Sequence, residues 1–141
     1  MKIKRELCDE IFTKVGELPP EIGGILGGIK DDVMVVEFDK CEIRQRRCSY
    51  TPNVNYLNTV IDFWEKEKIK FLGIFHSHYF GVKSLSEGDQ KYIYTIMRNM
   101  PDDIPKLYFP IVVMPDKEIV VYKAHRCQDD VIIEKEILEL V

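Results

Sequence analysis

The sequence predicts one mixed α/β domain, and three observations predict it. Stretches with helical apolar spacing alternate with valine-rich, strand-like runs. No internal repeat, low-complexity tract or linker divides the chain. The 141 residues, 45% hydrophobic and 31% charged, suffice for a single buried core.

The elements follow in order. In KRELCDEIFTKVG the apolar residues Leu7, Cys8, Ile11, Phe12 and Val15 form one helical stripe that stops near Gly16 and the Pro19-Pro20 pair. Next, EIGGILGGIKDDVMVVEFD reads as two strands joined at KDD, with glycines that admit close backbone approach. The stretch from Cys41 to Tyr50 has no clear period and reads as strand and loop. Leu57, Ile61 and Trp64 share a helical face, which places a second helix over about 53 to 68. FLGIFHSH is a buried strand, and SEGDQKYIYTIMRNM a third helix opened by a capping serine and closed before Pro101. KLYFPIVVMPDKEIVVYKAH gives two strands around a Pro115-Asp116-Lys117 turn, with Pro110 favouring a sheet edge or a bulge. From Asp130 the tail is a short amphipathic helix or a strand.

Bulk properties remove several classes of function. A formal net charge of -4 gives no general attraction to nucleic acid or anionic lipid. The local basic cluster RQRRC at 44–48 reads as solvated surface, with a docking patch as the alternative. No apolar run approaches the roughly 18 to 20 residues that span a bilayer, and MKIKRELCDEIF lacks the apolar core of a secretion signal. The expected address is the cytoplasm. Cys8, Cys41, Cys48 and Cys127 form no CxxC pair and read as reduced, mostly buried thiols rather than zinc ligands or nucleophiles.

Chemistry concentrates in HSHYFGVKSLSEGD, residues 76–89, which holds two of the 3 histidines. Residues two apart on a strand face the same way, so His76 and His78 present both imidazoles to one side. That suits a metal ion such as zinc, which takes histidine nitrogen and carboxylate oxygen and in catalytic sites keeps one position open for water. Asp89 is the candidate third ligand, since the loop after the strand can bring the next helical turn over the histidines. Ser86 and Asp89 at i and i+3 also make a capping box that needs no metal, and the two readings are compatible because a carboxylate has two oxygens. Hydrolysis further requires a base beside the metal. Glu21, which opens the glycine-rich segment, is the candidate; alone it would read as a solvated residue after two prolines. Tyr79 and Phe80 either line a substrate groove or cover the core, and His125 is assigned no role.

Taken together, these positions resemble the JAMM (MPN-plus) metallo-isopeptidase family, whose signature is an upstream glutamate and then H-x-H, seven residues, S-x-x-D. His76-Ser77-His78, the seven residues Tyr79 to Leu85, and Ser86-Glu87-Gly88-Asp89 match the second part, and Glu21 before IGGILGG matches the first. The resemblance covers nearly the whole chain. It implies a single JAMM/MPN-like domain over 1–141 with a mixed curved β-sheet flanked by helices. It further implies zinc held by His76, His78 and Asp89, Glu21 as general acid/base, and Ser86 stabilising the oxyanion of the tetrahedral intermediate.

Two departures stand out. Tyr79 occupies the place where many relatives have proline, and the chain is near the minimal length of the family domain. It thus resembles the stand-alone prokaryotic branch, whose members are associated with ubiquitin-like or sulfur-carrier proteins ending in Gly-Gly; hydrolysis after such a tail is the implied activity. Two other classes stay open: a catalytically silent interaction module of the same fold, and a zinc hydrolase of small peptides. The pathway, the oligomeric state and any activating partner are not implied by the sequence.

Overall fold

In the computed structural model, which describes residues 1–40 and 50–141, the elements run β1 (Lys2–Ile3), α1 (Arg5–Val15), β2 (Gly23–Ile29), β3 (Asp32–Phe38), α2 (Val54–Lys66), β4 (Lys70–His78), α3 (Glu87–Asn99), β5 (Lys106–Val113), β6 (Glu118–Cys127), β7 (Asp130–Glu136) and β8 (Glu139–Leu140). The strands make one mixed sheet in the order β7-β6-β5-β4-β2-β3-β1-β8. Neighbours β4 and β5 are parallel, as are β1 with β3 and with β8, and the remaining pairs are antiparallel.

Helices cover both faces. The stripe Cys8, Ile11 and Val15 of α1 joins Leu26, Val33, Phe75, Tyr79 and Val112 in one core cluster. Leu57 and Trp64 of α2 and Ile93 and Met97 of α3 join Ile25, Ile74 and Phe109 in the other. Adjacent residues Ile25 and Leu26 fall in opposite clusters, as the period of a strand requires.

Strand β4 is central, and a bulge sets its phase. Its register against β2 passes from Gly27–Phe71 to Leu26–Gly73, leaving Leu72 as the extra residue. Leu72 and Phe75, three apart, consequently share one cluster, and beyond the bulge Ile74 and His76 face α2 and α3. Gly73 has no substitute here: a Cβ would stand 2.0 Å from the Tyr108 carbonyl oxygen of β5.

Three expectations need correction. Pro110 lies in the middle of an interior strand, not at an edge or bulge. It pairs with Val121 of β6, and its missing N–H coincides with the gap in β4–β5 pairing between Gly73–Tyr108 and His76–Ile111. Cys127 is exposed at the end of β6, unlike buried Cys8. Glu21 precedes β2 by two residues instead of opening it. The tail from Asp130 resolves as a strand, and Cys41, Cys48 and the basic cluster at 44–48 lie outside the described residues. No helix among the described residues is long and apolar enough to cross a membrane.

Candidate metal centre

Four separate segments supply the site. The end of β4 carries His76 and His78, which are 0% and 5% exposed. The first turn of α3 carries Asp89, the loop between α1 and β2 carries Glu21, and Tyr50 leads into α2.

The nitrogens and oxygens converge. His76 Nε2 and His78 Nε2 are 2.9 Å apart; Asp89 Oδ1 is 3.2 Å from the first and Oδ2 3.1 Å from the second. Ligands about 2.0 to 2.1 Å from a tetrahedral zinc ion stand roughly 3.3 Å from one another, and the two imidazole nitrogens approach somewhat more closely than that, at 2.9 Å. Glu21, His76 and His78 also present ligand atoms within 4.8 Å of one another, so two carboxylates flank the imidazole pair. Among the described residues Glu21, His76 and His78 form a group that could hold a metal ion, while Asp89 lies within hydrogen-bond distance of both imidazoles.

A protein-only hydrogen-bond scheme does not satisfy this cluster. A neutral imidazole has one N–H, and two Nε2–H groups cannot face each other at 2.9 Å. Moving one proton to Nδ1 sets a bare Nε2 lone pair against an Asp89 oxygen, and His76 Nδ1 is buried with no hydrogen-bond partner among the described residues, whereas the His78 ring also meets the Val82 backbone. A shared cation, or an extra proton, removes the conflict. The donor set of two nitrogens and a carboxylate suits zinc.

The capping and ligand readings coexist in Asp89. Ser86 Oγ accepts from Asp89 N at 3.0 Å, and Asp89 Oδ2 accepts from Ser86 N at 2.9 Å, closing the capping box. The same Oδ2 faces His78. Because Ser86 Oγ accepts in the cap, its own hydrogen remains available to donate into the cleft.

Charges are tuned by this packing. Burial pushes Asp89 up, but hydrogen bonds from His76 and His78 together with the Ser86 amide hold it well below the usual carboxylate range. Burial pulls His78 down, yet the hydrogen bond and charge of Asp89, with the charge of Glu21, leave it raised. For Glu21 burial dominates and raises the carboxyl, against the opposing pull of both histidines and the Tyr50 amide.

A cleft of about 540 Å³ opens over these groups, lined by Glu21, His78, Ser86 and Asp89 and by Tyr50, Phe80 and Tyr92. The two aromatic residues after His78 divide: Tyr79 is 5% exposed in the core and Phe80 is 78% exposed at the cleft. Tyr50 stacks on His76 at 6.2 Å and donates its amide to Glu21 Oε2 at 3.0 Å. Gly23 makes room for it, since a Cβ there would meet the Tyr50 ring at 2.5 Å. Tyr92 packs edge-on against His76, and burial pushes its phenol up. Sequence reasoning missed Tyr50 and Tyr92. For Tyr92 a signal existed, because i+3 from Asp89 on a helix is the same face; for Tyr50 none did.

No protein-family profile matches the sequence, and no curated protein matches it. Solved structures do. The solution structure of protein DSY2949 from Desulfitobacterium hafniense aligns with a TM-score of 0.68 and 20% identity, over 99% of this chain and 93% of that one. The crystal structure of AF2198, a JAB1/MPN domain protein from Archaeoglobus fulgidus, aligns with a TM-score of 0.59 and 22% identity, over 100% of this chain and 99% of that one. At such identities the likeness is one of fold, and the chain has the fold of a JAB1/MPN domain.

Proposed function

We propose that this chain is a zinc-dependent peptidase of the JAMM type, hydrolysing the amide bond after the Gly-Gly tail of a ubiquitin-like or sulfur-carrier protein. The observation that carries the reading is the meeting of His76, His78 and Asp89 at hydrogen-bond distances, with Glu21 beside them under one cleft. Zinc, when bound, supplies Lewis acidity to a carbonyl oxygen and to water.

The chain's own residues do the rest. Glu21, beside the two imidazoles, would take a proton from the attacking water and return it to the leaving amine. The Tyr50 amide fixes Glu21 Oε2, leaving Oε1 for this exchange. Ser86 turns its hydroxyl hydrogen to the oxyanion that forms as the carbonyl becomes tetrahedral. Tyr92 covers the edge of His76. An extended Gly-Gly tail brings no side chain that must fit beside the imidazoles.

Two measurements test this. Metal analysis of purified protein is expected to find about one zinc per chain, with Asp89→Ala weakening binding by about 100-fold or more and Glu21→Gln leaving it nearly unchanged. Equal loss in both variants makes Glu21 a ligand and removes the base. Incubation with a Gly-Gly-linked carrier conjugate is expected to release carrier, and Glu21→Gln to lower kcat by about 100-fold or more. Cleavage of short peptides alone points to a small-peptide hydrolase; absence of zinc affinity points to an interaction module.

A further inference from the structure

Strand β4 serves the site from both of its faces. His76 points toward α2 and α3, whereas Ser77, 0% exposed, and Tyr79 point toward α1. On that second face their hydroxyls form a directed chain. The Ile22 amide donates to Ser77 Oγ at 2.8 Å, and Ser77 Oγ donates to the Tyr79 hydroxyl at 3.2 Å. Tyr79 in turn donates to the Pro20 carbonyl at 3.1 Å, with the Val15 carbonyl at 3.4 Å as a second acceptor. The Ser77 amide returns a backbone bond to the Ile22 carbonyl at 2.8 Å.

Both peptide groups tied down in this way flank Glu21. The segment 16–22 lies between α1 and β2 outside either element, with backbone bonds at its two ends, Gly16 to Phe12 and Ser77 to Ile22, so the stretch 20–21 depends on the hydroxyl chain above. A buried hydroxyl chain costs desolvation unless each member is paired, and here each hydroxyl accepts once and donates once. Phenylalanine and alanine would fill the same space without polar atoms, so packing alone does not account for this pair.

We infer that Ser77 and Tyr79 are positioning residues for Glu21, gripping the backbone on both sides of it so that one strand presents the imidazoles and aims the carboxylate at them. The purpose of that aim rests on Glu21 acting as base in the proposed hydrolase; the grip itself does not. Tyr79, which stands where many JAMM relatives carry proline, thereby gains a specific task.

Amide hydrogen exchange reads the grip directly. Tyr50 N donates to Glu21 Oε2, making its amide a remote reporter of whether the carboxylate stays in place. In Tyr79→Phe and, separately, Ser77→Ala, exchange at the Ile22 and Tyr50 amides is expected to quicken about fivefold or more relative to wild type, while core amides of β5 and β6 are unchanged. Zinc affinity should stay within about threefold, because the ligands lie on the other face. With an active conjugate substrate, kcat should fall about tenfold at nearly constant KM. Unchanged Tyr50 exchange in both variants overturns the inference, as does a loss of zinc affinity that tracks the exchange. A wild-type protein that cleaves no amide sinks the hydrolase reading alone, since the exchange comparison still decides the grip.

Discussion

Asp89 does two things with one functional group, and the proposed function asks two of Ser86. Asp89 Oδ2 faces both the Ser86 amide and His78, so the helix cap fixes the carboxylate that faces the imidazoles. Ser86 accepts from the Asp89 amide and keeps one hydrogen for the cleft. Capping and catalysis are separable by substitution, because glycine at an N-cap costs only a few tenths of a kcal/mol whereas alanine costs about 1 kcal/mol. Ser86→Gly is thus expected to unfold in urea nearly as wild type does, yet to lose about 100-fold in kcat, the typical loss for one oxyanion donor. Equal kcat in Ser86→Gly and wild type would reduce Ser86 to a cap. At this scale the sequence was informative: Glu21 and the spacing from His76 to Asp89 named five residues, of which Glu21, His78, Ser86 and Asp89 line one cleft and His76 contacts Asp89. It was silent on Tyr50, which belongs to no helix or strand and meets His76 and Glu21 only in the fold.

Elements set the geometry that these residues use. Helix and strand periods were legible for α1, α2, α3 and the long strands, because apolar spacing reports which side is buried. The two-residue strands β1 and β8 were not, being too short to show a period. Nor was the bulge at Leu72, which only pairing with β2 reveals. Pro110 misled as well: the sheet accommodates it inside β5, with pairing to β4 interrupted beside it. Close approach of β4 and β5 at Gly73 yields a strong expectation. Gly73→Ala places a methyl 2.0 Å from a backbone oxygen that cannot rotate away, so stability should fall by about 3 kcal/mol or more in urea titration. The turn between β2 and β3 gives a milder one. Lys106 Nζ and the Tyr108 hydroxyl both donate to Asp31 Oδ1, at 2.9 and 2.7 Å, and hold its carboxyl below its usual value. A depressed folded pKa means stability that is present above the unfolded value near 3.9 and lost as pH falls through the folded one. Asp31→Asn is expected to cost about 0.5 to 1 kcal/mol at pH 7, a small figure because the pair is largely solvent-screened. The difference from wild type should vanish in strong acid; a gap independent of pH would assign it to shape.

Across the whole molecule, the site exists only because the fold brings residues 21, 76, 78 and 89 together from the loop after α1, the end of β4 and the start of α3. None of those segments holds the arrangement alone, so a cation there would tie a loop, a strand and a helix to one another. Such a ligand binds the folded state and not the unfolded chain, and stabilises it by about 2.7 kcal/mol at 100 times its dissociation constant. For a domain of 141 residues that corresponds to a rise in Tm on the order of 10 °C. Protein stripped with a chelator should melt lower than zinc-loaded protein by about this amount, and reloading should restore it. In Asp89→Ala the two forms should melt nearly together, since the third corner is gone. Glu21→Gln should keep most of the shift, since the proposed base lies beside the ligands and not among them. Coincident melting of stripped and loaded wild type would mean that the imidazoles and the carboxylate close around a proton rather than a metal, and the hydrolase reading would fall with it.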